Sequence, residues 1–321
     1  MIRSTIRTHR LFSLIAAMAV VAACGPGSGD LGSVATPAPT PAASVDVPSP
    51  EPTGGTPAPT ADSSVPPSPT APADGSTTVR AYFFLGSFTH AAGLAPVLRE
   101  IPKTQAVATA AMNALIDGPI DREINTSPAM YTTVPDGTRL LGLTITDGVA
   151  TVNLSREFAS GGGSASVLGR LAQVVYTLTQ FPTVKTVAFE LDGQPVTTFS
   201  GEGVVLDHPV GRGDYTDQIP AIFLDRPAWG AALGNTARIA GLANVFEATF
   251  RVAVFDGSGA QLLDDQVMVS CGTGCWGTFD AVFQYQIGSA QWGILRVYDL
   301  SAKDGAPENM TEYPVWLTPR P

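Results

Sequence analysis

The sequence predicts an α+β domain followed by an all-β sandwich, with a disordered stalk before them. The α+β domain is expected to be a mixed sheet with two helices on one face. Three observations lead to this prediction. Residues 25–77 are rich in Pro, Ala, Thr, Ser and Gly and contain no Lys or Arg, a composition that cannot form a packed core. Residues 79–199 mix strand-like and helix-like hydrophobic patterns. From residue 221 onwards, short strand-like segments alternate with turns.

The N-terminus has the order of a secretion signal. Arginines at positions 3, 7 and 10 precede an apolar run over residues 11–21, which is short for a hydrocarbon layer of about 30 Å. Residues 21–24, Val-Ala-Ala-Cys, resemble the bacterial lipobox. This resemblance implies cleavage before Cys24 and attachment of diacylglycerol to its thiol. An ordinary signal peptide and a single membrane span are the alternatives.

The α+β domain is predicted from hydrophobic periodicity and turn signals. Thr104 is expected to cap the first helix, and Asp147-Gly148 is the preferred dipeptide of a two-residue hairpin turn. The predicted elements are a strand over 79–85, a helix over 105–116, hairpin strands over 140–146 and 149–154, a helix over 166–179, and strands over 184–191 and 196–199.

Five fragments of this region resemble a known family in their order and spacing. They are Ala-Leu-Ile-Asp-Gly-Pro at 114–119, Val-Pro-Asp-Gly-Thr at 134–138, and the segments 147–155, 178–184 and 191–193. Together they resemble the GerMN domain of sporulation and spore-germination proteins. The resemblance implies an envelope-facing α/β module, related to ring-building domains and without known catalytic residues.

The second half is predicted to be a β-sandwich in which alternate residues face the core. One strand is expected over 246–255, with Phe246, Ala248, Phe250, Val252 and Val254 on one face. Residues 239–248, 277–279 and 297–305 resemble the immunoglobulin-like domain of bacterial spore-germination proteins. This resemblance makes the sandwich immunoglobulin-like.

The predicted organisation therefore has five parts. They are a signal peptide (1–23), the lipidated Cys24 with the stalk (24–77), a GerMN-like domain (78–210), a linker (211–218) and an immunoglobulin-like domain (219–321).

The cysteines divide into one lipid site and one pair. The chain has 3 cysteines, so assigning Cys24 to the anchor leaves Cys271 and Cys275. An even pair in an oxidising compartment favours a disulfide, and the glycine-rich loop between them permits a tight turn. A redox pair would need two intervening residues rather than three. A metal site would need two more ligands.

Composition excludes some partners. The formal net charge is −10 and the isoelectric point is near 4.7, so the chain lacks the basic patch that nucleic acids or anionic lipids require. Membrane attachment is expected through acyl chains alone. No cofactor or metal is predicted.

Catalytic motifs are sparse. His90 and His208 are the histidines left after signal removal, and no Gly-x-Ser-x-Gly elbow is present. A glycine run at 161–163 precedes a helix without the rest of a dinucleotide fingerprint. The acids Glu157, Glu202 and Asp207 are candidates for glycan cleavage by position alone, and acids in loops are normally solvated. The turn at 256–259 lacks the later acids of a calcium loop and is better interpreted as a hairpin turn. Arg212-Gly213-Asp214 spells an adhesion tripeptide, which commonly arises by chance.

We therefore expect a non-catalytic, lipid-anchored envelope protein that presents two modules for assembly with other envelope proteins. The expected location is the outer face of the cell membrane, or the outer membrane in a cell that has two. The alternative is a protein that binds cell-wall glycan by stacking sugars on Tyr82, Phe84, Trp229 or Trp292. A wall hydrolase is a weaker third hypothesis.

Overall fold

The computed structural model describes residues 75–87 and 90–320. The signal peptide, Cys24 and nearly all of the predicted stalk lie outside these described residues. No helix among the described residues has the length and apolar character needed to span a membrane.

The α+β half begins with a long antiparallel hairpin. Strand β1 (Ser76–Ser87) pairs with β2 (His90–Pro102) and, on its other side, with the short β3 (Met130–Tyr131), so the sheet order is β2-β1-β3. The predicted strand over 79–85 lies within β1. The sequence did not predict β2.

A second, mixed sheet contains the predicted hairpin. Its order is β4-β5-β6-β7, with β5 and β6 parallel and the other pairs antiparallel. Asp147 and Gly148 form the turn with φ of 52° and 86°, as a type I′ turn requires. The strands are β4 (Leu140–Thr146), β5 (Val149–Leu154), β6 (Thr186–Leu191) and β7 (Gln194–Pro195), followed by a small pair of β8 (Thr198–Phe199) and β9 (Val204–Val205).

Three α-helices accompany these sheets in the described chain: α1 (Val107–Ile116), α2 (Asp121–Ile124) and α3 (Ser164–Leu178). The long helices α1 and α3 contact each other and β1. Helix α1 begins two residues later than expected because the Thr104 hydroxyl accepts a hydrogen bond from the Ala106 N–H in a local turn, and does not cap the helix.

The second half is a sandwich of two sheets, as predicted. A three-stranded antiparallel sheet has the order β10-β12-β15, and a five-stranded sheet has the order β11-β17-β16-β13-β14. Only β11 and β17 pair in parallel among these strands. The strands are β10 (Ile222–Arg226), β11 (Ala232–Gly234), β12 (Thr236–Ala243), β13 (Thr249–Phe255), β14 (Gln261–Met268), β15 (Gly277–Gln284), β16 (Gln291–Leu300) and β17 (Pro307–Thr318).

The predicted strand over 246–255 begins late, which corrects the predicted face. Phe246, Glu247 and Ala248 form a 3-10 turn in which Glu247 and Ala248 have φ of 53° and 55°. Phe246 is exposed, because this turn interrupts the strand alternation. Phe250, Val252 and Val254 face the core as expected.

Both halves share one hydrophobic core. The predicted linker is a 3-10 segment, Arg212–Gln218, that buries Tyr215. Trp229 of the sandwich half donates its backbone N–H to the Pro96 carbonyl of β2 at 2.8 Å. The two halves therefore make direct contacts beyond the chain that joins them.

Candidate functional site

The outer surface of the five-stranded sheet carries a concentration of aromatic side chains. On β16, Leu295 and Val297 point into the core, so the alternating residues between and beside them point outward. The same alternation applies on β13 and β17. We call the outward set the aromatic face, and it consists of Arg251, Phe255, Trp292, Ile294, Arg296, Tyr298, Glu312, Pro314 and Trp316.

Cross-strand pairs order this face. Trp292 lies opposite Trp316 in the strand register, and the ring centroids are 5.4 Å apart at 70°. The Arg296 guanidinium lies 4.5 Å from the centroid of the Phe255 ring, and its Nε donates to Glu312 Oε1 at 2.8 Å. Aromatic, cation–π and ionic pairs of this kind stabilise neighbouring strands. The side chains of the face are thus held in place on a rigid sheet.

A groove of about 420 Å³ lies at one end of the aromatic face. Trp229 and Trp292 both line it, although Trp229 is only 8% exposed. The remaining lining residues include Ile294 and Pro314 from the face, Asp256 from the β13–β14 turn, and Arg122 and Thr126 from the α+β half. An apolar wall with polar groups around it is typical of a small-ligand site.

The prediction that Tyr82 or Phe84 stacks on a sugar is wrong. Tyr82 is 0% exposed and Phe84 5% exposed, because the long helices and the sandwich cover the strand that carries them. The Tyr82 ring lies 5.7 Å from Tyr176 of α3 and 6.4 Å from Phe223 of β10. Both residues are structural. Of the four aromatic candidates, Trp229 and Trp292 come together in one groove.

Arg212 lies in a polar cluster between the two halves. Its side chain is engaged there, so the interpretation of residues 212–214 as an adhesion tripeptide is not supported. Its guanidinium donates to Thr179 Oγ1 at 2.8 Å, to the Tyr82 hydroxyl at 3.0 Å and to Asp225 Oδ1 at 3.2 Å. The same group lies 4.7 Å from the Tyr176 ring centroid. Sequence reasoning missed this cluster. The sequence feature that could have indicated it is Asp225, a charged residue that directly follows three apolar residues of a strand.

The charges of this cluster stabilise one another. Burial alone would raise the pKa of Asp225, but the guanidinium groups of Arg212 and Arg80 hold that pKa below its ordinary value. Burial raises the pKa of Tyr82 to about 12, with Asp225 adding to the effect. Asp225 is therefore ionised and Tyr82 neutral at neutral pH, the states that their mutual hydrogen bond requires.

The segment that leads into the glycine run at 161–163 binds a side chain of the protein itself. The Arg170 guanidinium, almost fully buried, donates to the carbonyls of Phe158, Ser160 and Gly161, each at 2.8 Å. Burial lowers the pKa of Arg170. The loop thus turns carbonyls inward around a cation, an arrangement opposite to the N–H cradle that a phosphate requires.

The acids considered for glycan cleavage have separate partners. Glu157 forms an ion pair with Arg139 at 3.6 Å, Glu202 accepts a hydrogen bond from the Ser164 hydroxyl, and the Asp207 carboxylate lies 2.6 Å from Nδ1 of the exposed His208. Within the described residues, no cluster of three or more His, Cys, Asp or Glu could hold a metal ion. The Asp256 carboxylate caps its own turn by accepting from Ser258 and Ala260.

A disulfide joins Cys271 and Cys275, the pairing that the sequence favours, with a Cα–Cα distance of 5.9 Å. The bridge closes the loop between β14 and β15. Close to it, at the other end of the aromatic face, a cavity of about 520 Å³ is lined by residues that include Phe246, Arg251 and Leu300.

Taken together, the fold is an α+β domain fused to a β-sandwich, with a candidate binding surface on the sandwich. Residues 81–197 match the family described as "Sporulation and spore germination", the GerMN-type domain. Residues 221–306 match the family described as "Immunoglobulin-like domain of bacterial spore germination". The chain carries a domain of each family, in the order that the sequence predicts. Neither family description names a catalytic activity.

Solved structures resemble the chain at low identity. The first GerMN domain of the Bacillus subtilis sporulation protein GerM has 20% identity and a TM-score of 0.35, covering 43% of this chain and 99% of that chain. The tandem GerMN domains of the same protein have 17% identity and a TM-score of 0.37, covering 65% and 62%. A Clostridium perfringens protein provisionally called a lipoprotein has 21% identity and a TM-score of 0.32, covering 47% and 98%. No curated protein matches the chain.

Proposed function

We propose that this protein is a lipid-anchored, non-catalytic component of the bacterial cell envelope that assembles with a protein partner through the aromatic face. The observation that carries the proposal is the composition of that face. Protein interfaces are enriched in Trp, Tyr, Phe and Arg, and their strongest contributions come from such residues in desolvated positions. The aromatic face brings these residue types together on one sheet.

The side chains of the aromatic face are preorganised for binding. The Trp292–Trp316 and Arg296–Phe255 pairs already restrict their side chains in the free protein. A partner would therefore lose little additional conformational entropy on binding to them, and preorganisation of this kind strengthens association. Arg251 of the face forms an ion pair with Asp264, with Nε 3.0 Å from Oδ1, and this pair supplies a polar rim for an interface.

The partner can be sought by photo-crosslinking in the native cell. A photoreactive amino acid replaces Tyr298 on the aromatic face or, as the control, Gln284 on an outer strand of the other sheet. Tyr298 is expected to yield one discrete protein adduct that Gln284 does not. Equal adducts from both positions would contradict the aromatic face as the interface. Recovery of wall fragments alone, with no protein partner, would contradict the proposal that the protein assembles with another protein.

The anchor needs its own test. Arg3, Arg7 and Arg10, the apolar run and the lipobox-like residues before Cys24 support lipidation. Cells fed an alkyne analogue of palmitate should label the wild-type chain, which should fractionate with membranes. The Cys24→Ala variant should remain unlabelled and keep its signal peptide. Equal labelling of that variant would overturn the anchor.

A second candidate function is binding of cell-wall glycan, favoured by the tryptophan groove. An indole ring stacks on the apolar face of a sugar, while Arg122, Thr126 and Asp256 offer donors and acceptors for its hydroxyls. The test is co-sedimentation with purified cell walls. Trp292→Ala should reduce the bound fraction at least tenfold if the groove binds glycan, whereas Phe246→Ala, an exposed aromatic outside the groove, should not. No loss with Trp292→Ala would remove this candidate.

The separation of the acidic residues supports the non-catalytic part of the proposal. A glycoside hydrolase needs two carboxyl groups facing one bond, and Glu157, Glu202 and Asp207 each contact a different partner.

A further inference from the structure

A strained turn precedes strand β13. Glu247 and Ala248 both have left-handed backbone conformations, with φ of 53° and 55°. This conformation costs free energy in residues that have a Cβ. Two such residues in succession persist only where surrounding contacts impose the conformation. The contacts that impose it come from the disulfide loop, residues 271–275.

Hydrogen bonds connect the loop to the turn at three points. The Thr273 N–H donates to the Val245 carbonyl at 2.9 Å, and the Glu247 N–H donates to Thr273 Oγ1 at 3.2 Å. The Gly274 N–H donates to Asn244 Oδ1 at 3.1 Å. Thr273 itself has a positive φ of 49°. Glu247 and Thr273, the residues joined by one of these bonds, therefore both have left-handed backbone conformations.

The two backbones are also in direct contact. A side-chain carbon at Gly272 would lie 2.2 Å from the Ala248 nitrogen and 2.6 Å from its Cα, which no real contact allows. The loop can approach the turn this closely only because residue 272 is glycine. Any change in the path of the loop between Cys271 and Cys275 would therefore change the turn.

The turn carries an exposed aromatic residue. Phe246 is 47% exposed and lines the cavity of about 520 Å³ together with Arg251 and Leu300. Because Arg251 belongs to the aromatic face, the conformation of the turn determines the shape of that end of the face.

We propose that the Cys271–Cys275 disulfide is a redox-sensitive clasp that holds the 244–248 turn, and with it Phe246 and the adjoining cavity wall, in one conformation. A dithiol reductant opens the clasp. One of its thiolates attacks a protein sulfur, which breaks the S–S bond and forms a mixed disulfide. Its second thiolate then releases the other protein sulfur. The protein gains two electrons and two protons as two thiols, and the reductant leaves as its own disulfide.

Hydrogen exchange measured by NMR on the full chain tests the clasp. After reduction with dithiothreitol, the amides of Glu247, Thr273 and Gly274 should exchange at least tenfold faster, because their acceptors are no longer held. Amides in β13 and β16, such as Val252 and Leu295, should change less than twofold. The Cys271→Ser/Cys275→Ser variant should reproduce the reduced pattern without reductant.

A local probe reports on Phe246 directly. With 4-fluorophenylalanine at position 246, the fluorine resonance should move towards that of the free amino acid on reduction. Exchange rates and fluorine shift that stay unchanged after complete reduction would overturn the clasp, as would acceleration spread evenly over the sandwich. If the serine variant does not fold, reduction of the folded wild type still decides the outcome. Neither readout requires a partner, so failure here is distinguishable from failure of the proposed function.

Discussion

The Tyr82 hydroxyl donates a hydrogen bond of 2.6 Å to Asp225 Oδ1, which joins the first strand of the α+β half to the first strand of the sandwich. Arg212, from the segment between the halves, donates to both residues. Each of the three groups satisfies the others in a site largely shielded from water. This cluster makes the relative arrangement of the two halves specific, where hydrophobic contact alone would leave it less defined.

Removing Asp225 should destabilise the whole described unit. In Asp225→Ala, Arg212 and Tyr82 lose their shared acceptor, and leaving a buried charge without its partner costs about 3 kcal/mol. The matched control is Asp280→Ala in the same sandwich. Asp280 pairs with the exposed Arg238, and because water screens an exposed ion pair, its loss should cost much less than the loss of Asp225. Urea unfolding of both variants measures the difference, and equal midpoints would contradict the role given to the cluster.

The Asp225 carboxylate should make the stability of the fold depend on pH. Its pKa is lowered in the folded state from the ordinary value of 3.8, so its ionised form stabilises the fold. That contribution is complete well above pH 3.8 and is lost as the pH falls through and below this value. The free-energy difference between wild type and Asp225→Asn should therefore shrink as the pH is lowered from about 6 to about 3. A difference that stays constant over this range would show that Asp225 does not titrate as proposed.

Much of the fold follows from local signals. Asp147-Gly148 predicted its hairpin correctly because that turn requires two residues with positive φ. Strand β2 was missed because Gly93 and Pro96 interrupt the strand pattern. Gly93 has a φ of 111°, and a side-chain carbon there would lie 2.5 Å from the Pro220 nitrogen. This glycine meets a requirement of distant packing, which a local pattern does not reveal.

The candidate site was predictable only in part. Alternation indicates which residues share a face of a strand, but not whether another layer covers that face. Tyr82 and Trp292 look alike in sequence as aromatics on strands, yet Tyr82 is fully buried while Trp292 lines a groove. The presence of Trp229 and Trp292 in the lining of one groove depends on tertiary packing. So does the contact between the Phe246 turn and the disulfide loop.

Gly241 should tolerate no side chain. A Cβ there would lie 1.9 Å from the Phe223 carbonyl oxygen, so Gly241→Ala must push β10 and β12 apart. We expect a loss of about 3 kcal/mol, the upper end for overpacking. The control is Gly142→Ala, also in a strand, where the nearest atom would lie 3.8 Å away and the cost should stay below about 1 kcal/mol. Thermal unfolding of both variants tests this, and equal melting temperatures would contradict the close strand contact.

The conformation of the loop before α3 should depend on Arg170, because its guanidinium donates hydrogen bonds to three carbonyls of that loop. In Arg170→Met, the carbonyls of Phe158, Ser160 and Gly161 lose their donor. An unsatisfied buried acceptor costs about 1–3 kcal/mol, and water can reach some of these carbonyls, so the expected total is about 3 kcal/mol. Arg156→Met is the control, because Arg156 is largely exposed in its ion pair with Asp192. Limited proteolysis should cut the Arg170 variant within residues 159–163 much faster than the control. Equal cleavage rates would show that the loop keeps its conformation without the guanidinium.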